Sequence, residues 1–278
     1  MRGVKRYGFS KLIIYSFLIF WSLVTIFPLM VTVFGGLKTL VQLRTDPFGL
    51  PIPPRWENYL EVFTDARFLR NLMNSLIIMV ITVGIDILLV GFASYALSRL
   101  VFPGREVVFN IFLFGLLFPF AVAMLPLYIQ IRSMGVLNTY WAVIIPQVAF
   151  ALPWHIMLTR NFFLQIPLEL EEAARMDGCG HLRFLFTIMY PLSTPVLTTI
   201  AVLGMVGSWN NFFLPLLVLD DEKLFTLPMG VMAFQGRYQT DWNLVLAFVT
   251  LALIPAVLLY FFAQRYIISG LTGGALKE

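Results

Sequence analysis

The chain has 278 residues, of which 59% are hydrophobic, 15% aromatic and only 12% charged, with a formal net charge of +4. Soluble domains carry about 25% charged residues, so this composition excludes an all-round aqueous surface, and with it most soluble enzymes and DNA-binding proteins. It equally excludes disorder, which needs low hydrophobicity and high net charge, and it predicts an all-α polytopic protein whose main solvent is lipid.

A membrane crossing needs roughly 20 apolar residues, and the chain contains six such runs. The first, Leu12 to Leu37, follows Arg2, Lys5, Arg6 and Lys11. A basic start is how a signal peptide begins, but this run is too long and ends in Gly35-Gly36-Leu37-Lys38 instead of a small-residue cleavage site. A retained helix is expected after a short tail (residues 1–11). The second run, Leu72 to Ser98, is interrupted only by Asp86 and small residues; a third extends from Val107 to about Ile131 and a fourth from Tyr140 to about Leu158. The fifth covers Leu192 to Leu219 and the sixth Asn243 to Ile268. Runs of this length predict helices, because barrel strands would be about 10 residues of alternating character. A transmembrane body over residues 12–268 follows, with a short glycine-rich tail at 269–278. Both termini then share one side, and the four basic residues ahead of the first helix predict that side to be cytoplasmic.

Three connecting segments are longer than a turn. The loop at 38–71 lies outside; its Pro47, Pro51, Pro53 and Pro54 preclude a long helix early on, whereas the stretch from Trp56-Glu57-Asn58-Tyr59 suits a short amphipathic helix. A second outer segment, 220–243, begins Asp220-Asp221-Glu222-Lys223 and includes Gln235, Arg237 and Tyr238. The cytoplasmic segment 160–191 is far longer than a connection requires, which predicts a job for it.

Within that segment the run from Ile166 to Gly178 has the marks of a bounded helix. Pro167 suits the first helical position and Gly178 the left-handed position just past the end. Glu169, Glu171 and Glu172 fall in the first turns, where the helix dipole favours negative charge. Glu171 and Arg175 are spaced to pair at i,i+4, and Ala173 and Ala174 leave little side-chain bulk. A short, low-relief helix fits a groove on another protein. The plainer alternative is a helix lying on lipid headgroups, which three acids beside a negative inner leaflet disfavour.

Polar residues inside crossings default to functional hypotheses. Asn210 and Asn211 follow Gly204, Gly207 and Ser208 and precede Pro215, a combination that allows a helix to break at a substrate site. Asn amides both donate and accept, and Trp209 offers a flat aromatic face. The competing role is interhelical hydrogen bonding and close packing. Asp86, near the middle of the second crossing, is open to two readings: a proton relay in an ion-gradient-driven secondary transporter, or a hydrogen bond to a neighbouring helix. His155 is expected to pack or sit at an interface.

No cofactor, metal or catalytic residue is expected. The single Cys179 forbids an intrachain disulfide, and with only His155 and His181 it forms no metal-ligand pattern. A Gly-x-x-x-x-Gly-Lys-Ser/Thr phosphate loop does not occur in the sequence. Glu171 and Glu172, as helix neighbours, do not face each other as an acid/base pair would. The basic excess belongs to membrane-flanking loops, so no nucleic acid is expected as a partner.

Glu172-Ala173-Ala174, three residues, Gly178, nine residues, Ile188, one residue, Tyr190-Pro191 resembles the EAA signature of ABC-importer permeases, whose usual form ends in Leu-Pro. The resemblance extends to Phe102-Pro103-Gly104, Trp209-Asn210-Asn211-Phe212, Gln235-Gly236 with Asp241-Trp242-Asn243, and Gln264-Arg265-Tyr266 with the glycine-rich ending Gly270 to Lys277. From about residue 70 onward the chain looks like the smaller, maltose-permease type of carbohydrate permease. That resemblance implies a type I ABC-importer permease fold in a prokaryotic inner membrane. It also implies a second homologous permease, two ABC ATPases that hydrolyse ATP, an extracytoplasmic sugar-binding protein and a carbohydrate cargo. The same motifs serve permeases for glycerol phosphate and sugar alcohols. Glu171, Glu172, Ala173, Ala174, Arg175, Asp177, Gly178, Ile188 and Pro191 would then meet the ATPase. Trp209, Asn210, Asn211 and Asp86 would line the substrate pathway, and Gln235, Arg237 and Tyr238 would face the binding protein.

Overall fold

The computed structural model describes residues 3–234 and 240–272. Every regular element among them is helical. Helix α1 (Gly3–Gly36) is followed by the short α2 (Leu40–Thr45) and α3 (Glu57–Thr64) and by the long α4 (Ala66–Arg99). Then come α5 (Arg105–Gly115), α6 (Phe120–Ser133), α7 (Tyr140–Gln165), α8 (Glu169–Met176) and α9 (His181–Phe184). One wide π-helical turn, Leu185–Met189, leads into α10 (Tyr190–Leu192), α11 (Thr194–Trp209) and α12 (Phe213–Val218). Two 3-10 turns, Glu222–Leu224 and Pro228–Phe234, precede α13 (Trp242–Thr272).

Four helical stretches are long and apolar enough to cross a membrane: Lys11–Gly36, Ala66–Arg99, Tyr140–Gln165 and Trp242–Phe261. Two bent pairs raise the number to six if each is one span: α5 with α6, bent by 103°, and His181–Leu192 with α11, bent by 82°. The third apolar run is therefore not one straight helix. It breaks before Pro119, which has extended backbone (ψ 132°) and disfavours helical geometry at the residue ahead of it. The fifth run is likewise divided: α11 ends at Trp209, Asn210 to Phe212 interrupt it, and α12 restarts the helix. Helix α7 runs on to Gln165, beyond the expected end near Leu158, with Arg160 in this last part paired to Glu106.

The chain divides into two compact units. One comprises Met1–Phe68 with Val231–Ile254. Large apolar side chains of α1 from Leu12 to Met30 are exposed, as a lipid-facing helix requires. At its C-terminal end α1 is held by α3: Asn58 Nδ2 donates to the carbonyls of Gly36 (2.8 Å) and Lys38 (2.9 Å), and the Tyr59 hydroxyl to that of Val33 (2.8 Å). These bonds satisfy carbonyls that a helix end otherwise leaves orphaned. Thr39 and Gln42 form a reciprocal capping box at the start of α2, a helix the proline-rich loop did not lead us to expect.

The other unit comprises Leu69–Gly230 with Pro255–Glu278. One of its cores joins Ile78 of α4, Ala142, Ile144 and Val148 of α7, and Leu214 and Val218 of α12. A second joins Val90 and Leu97 of α4, Phe109 of α5, Ile156 of α7 and Ile200 of α11. A third lies under the segment that follows α7 and gathers Tyr95, Phe163, Ala174, Phe184, Leu185 and Met189. Between α4 and α7, Ser94 Oγ donates to the Ile156 carbonyl (3.4 Å).

Candidate functional site

Helix α8 starts two residues after Pro167 and carries Glu169, Glu171 and Glu172 in its first turn. Its end is a Schellman motif: Gly178 N–H donates to the Arg175 carbonyl and Cys179 N–H to that of Ala174, both at 2.9 Å. Gly178 has a φ of +75°, and nothing lies within 4 Å of where a Cβ would stand. The eight-residue helix is shorter than the run from Ile166 to Gly178 promised, since Leu168 is its cap and the last residues belong to the closing turn.

The helix has two faces. Glu171 and Ala174 are buried, Ala174 against the third core. Glu172, Ala173, Arg175, Asp177 and Gly178 are exposed, and Met176 is 89% exposed. Ile188, half-buried, packs on the third core from within the π-helical turn, and Pro191 is exposed in α10. The inward carboxylate of Glu171 accepts from Arg175 Nη2 (2.8 Å) and from the Tyr95 hydroxyl (3.4 Å), which also lies 2.9 Å from His181 Nδ1. Arg175 is more than half exposed, so its ion pair contributes about 0.5 kcal/mol.

Two further contacts anchor this segment. Arg99, the last residue of α4, donates Nη2 to the carbonyls of Phe163 (2.6 Å) and Ile166 (2.5 Å) and so caps the end of α7. Tyr190, the departure from the usual Leu, donates its hydroxyl to the Ile87 carbonyl at 3.1 Å. Gly91 makes room for it: a Cβ there would lie 2.0 Å from the Tyr190 oxygen. Arg160 of α7 bonds Glu106 (2.6 Å) and the Leu97 carbonyl (3.0 Å) and lies over the Phe109 ring at 4.0 Å. None of Tyr95, Gly91, Arg99 or Arg160 was visible as a site residue in the sequence, because each acts through a partner dozens of positions away.

Inside the crossings, α4, α7 and α11, with Phe120 of α6 and Leu214 of α12, line a half-open cavity of about 260 Å³. Each helix lines it with residues on one face: Thr82 and Asp86 of α4, Gln147, Ala151 and His155 of α7, and Gly204 and Ser208 of α11. Asn211 follows at the break, Gly207 lies beside Ser208, and Phe120 and Phe150 add an edge-to-face ring pair with centroids 5.3 Å apart. Asp86 Oδ2 and His155 Nδ1 are 2.6 Å apart, both side chains buried. Of the expected pathway residues, Asp86 and Asn211 therefore share one cavity. Trp209 is buried and Asn210 is exposed with its Nδ2 on the Val206 carbonyl (3.0 Å); neither lines it. Asn211 Oδ1 also accepts from Leu214 N–H (3.3 Å), starting α12. Gln235, Arg237 and Tyr238, and the tail from residue 273 onward, lie outside the described residues. Among the described residues no group of three or more His, Cys, Asp or Glu is arranged to hold a metal ion.

Residues 87–273 match the family described as the inner membrane component of binding-protein-dependent transport systems. The chain is 33% identical over 265 residues to the diacetylchitobiose uptake system permease protein NgcG of Streptomyces coelicolor, covering 95% of this chain and 88% of that protein. It is 36% identical over 247 residues to the trehalose/maltose transport system permease protein MalG of Thermococcus litoralis, covering 86% of this chain and 88% of that one. In fold it resembles a chain of a bacterial ABC transporter involved in import of the acidic polysaccharide alginate. There the TM-score is 0.83 at 24% identity, over 96% of this chain and 98% of the other.

Proposed function

Because this chain belongs to the family of inner membrane components of binding-protein-dependent transport systems, we propose that it is a permease subunit of an ATP-driven importer that carries a carbohydrate across a prokaryotic cytoplasmic membrane. A second permease would complete the pathway, two ATPase chains would hydrolyse the nucleotide, and an external binding protein would deliver the sugar. Both termini and the 160–191 segment face the cytoplasm in this reading.

The observation that carries it is the two-faced helix α8. Its inner face, Glu171 and Ala174, is fastened to the ends of α4 and α7, while Glu172, Ala173 and Met176 stay exposed. A rod gripped from within by membrane helices and bare outside is suited to seat in a partner and pass its movement inward. Within the docking set, Glu171 and Ala174 serve the chain's own interior, and contact with the ATPase falls to the exposed Glu172, Ala173, Arg175, Asp177, Gly178 and Pro191, joined by Met176, which the sequence reading did not include. Cargo specificity for saccharides is supported by the trehalose/maltose and diacetylchitobiose relatives.

Co-purification of the chain with subunits expressed from neighbouring genes tests this reading. The complex should hydrolyse ATP faster when its sugar-loaded binding protein is added. A complex whose hydrolysis ignores the loaded binding protein would count against it.

The ion-gradient alternative rested on Asp86 as a relay. Asp86 is paired with His155 in the same unit, and what favours the ATP-driven reading over a relay is the family, whose relatives are binding-protein-dependent permeases.

A further inference from the structure

Between Asp46 and Arg55 the outer loop reads Pro47-Phe48-Gly49-Leu50-Pro51-Ile52-Pro53-Pro54, without one polar side chain. Phe48, Leu50 and Ile52 are nonetheless 68%, 67% and 74% exposed. A contiguous exposed apolar patch marks a surface that meets something other than water.

Its depth can be read from α1, which belongs to the same compact unit. The crossing Lys11–Gly36 has 26 residues. That is about 39 Å of helix against about 30 Å of hydrocarbon, so a centred crossing leaves about 4.5 Å beyond each edge. Phe27 precedes the outer end of α1 by about 13.5 Å along the axis and so lies about 9 Å inside the hydrocarbon. The Phe48 ring stacks on that of Phe27 with centroids 6.0 Å apart, which keeps it inside the same edge whichever way the separation runs. Tyr59, whose hydroxyl bonds the Val33 carbonyl, and Trp56, its ring neighbour at 6.2 Å, fall near the edge itself, where aromatic belts gather. We propose that Phe48, Leu50 and Ile52 insert among the lipid acyl chains of the outer leaflet, anchoring the loop beside the outer end of α1.

Backbone chemistry selects lipid over a protein as the occupant. Lipid cannot satisfy N–H and C=O groups, so an irregular segment has to stay at the headgroup boundary and pair its polar atoms from within. Four of the eight residues from Pro47 to Pro54 are proline and have no N–H to satisfy. Lys38, buried just beyond α1, donates Nζ to the carbonyls of Asp46 (2.7 Å) and Pro47 (3.2 Å), which holds the backbone near the helix end. Gln42 Nε2 donates to the Ile52 carbonyl and Gly49 N–H to Asp46 Oδ1, both at 2.9 Å. A protein partner would supply such bonds itself; here the loop supplies them. Arg44 and Arg55 are exposed on either side of the apolar stretch, as cations at headgroup level are. A binding protein arriving through water would not reach the level of Phe27.

Fluorescence quenching tests the insertion. The full chain with Cys179→Ser and a single cysteine at Leu50→Cys or Ile52→Cys, carrying a fluorophore, is placed in vesicles with its co-expressed second permease and ATPases. Nitroxide-bearing lipid should quench both positions as it does the lipid-facing reference Leu23→Cys of α1, and iodide should not. A nitroxide high on the acyl chain should quench more than one near the methyl end, because the insertion is shallow. Glu222→Cys, exposed in the other outer segment, should show the reverse pattern.

The proposal is overturned if iodide quenches both loop positions and lipid does not. It is equally overturned if lipid quenching appears for the chain alone and vanishes with the second permease present, which gives the surface to that permease, or vanishes when binding protein is added. Insertion is read without ATP or sugar, so its failure leaves the transport reading standing, and failed ATP-driven uptake leaves the insertion standing.

Discussion

The hydroxyl of Tyr95, in α4, stands 3.4 Å from the carboxylate of Glu171, in α8, across 76 positions of sequence. That contact, with His181 Nδ1 at 2.9 Å from the same hydroxyl and Ala174 packed beside it, makes α8 a part of the membrane body rather than an appendage. Tyr95→Phe and Glu171→Leu should each lower the thermal unfolding midpoint of the purified chain. Combined, their losses should fall short of the sum by about 1 kcal/mol, the coupling expected of one polar contact. Strictly additive losses would mean the two residues do not interact.

At the far end of α8, the cost of a side chain at Gly178 is purely conformational, because its φ is +75° and its surroundings are open. A β-branched residue there loses about 1–2 kcal/mol relative to glycine, whereas Asn tolerates the left-handed region. Gly178→Val should insert normally but hydrolyse ATP without uptake, and Gly178→Asn should keep the two coupled. The ratio of sugar taken up to phosphate released in vesicles reads the difference; equal ratios for Val and glycine would mean that the turn closing α8 is not needed for coupling.

Gly91 and Tyr190 occupy one space. Gly91→Ala sets a methyl 2.0 Å from the tyrosine oxygen, and displacing that ring from the Ile87 carbonyl should destabilise the chain by about 2 kcal/mol. Tyr190→Leu, the residue usual at this place in the signature, should restore stability in the Gly91→Ala background. An unfolding midpoint that stays low in the double variant would show that the clash lies elsewhere.

Arg99 secures the start of the same segment by holding the Phe163 and Ile166 carbonyls. Arg99→Met leaves both acceptors without their charged donor and should cost about 2 kcal/mol. Limited trypsin digestion should then cut faster at Arg175 and Arg183, which lie just beyond the anchor. Unchanged cleavage would mean that the core around Phe163 holds the segment unaided.

What the sequence revealed and what it hid divide along one physical line. The end of α8 was legible because its causes are local: Gly178 supplies the left-handed residue and Glu171 with Arg175 the i,i+4 pair. The interruption at Asn210 was legible for the same reason, since Gly204, Gly207, Ser208 and Pro215 crowd one stretch. The 103° bend before Pro119 was not, because hydropathy averages over an apolar run and is blind to its direction. Nor was the inward turn of Glu171, or the union of Asp86 with His155 at 2.6 Å. An acid and a histidine 69 positions apart become partners only when α4 and α7 pack, and no periodicity within either helix announces it.

In the proposed function, this chain forms part of a sugar pathway powered by ATP from the cytoplasmic side. It is tested most directly by uptake of a radiolabelled neutral sugar into vesicles holding the chain with its co-expressed permease, ATPase and binding-protein partners. Uptake should need ATP, continue when a protonophore collapses the proton gradient, and fail in Gly178→Val. Uptake that persists after ATP depletion and vanishes with the proton gradient would contradict it.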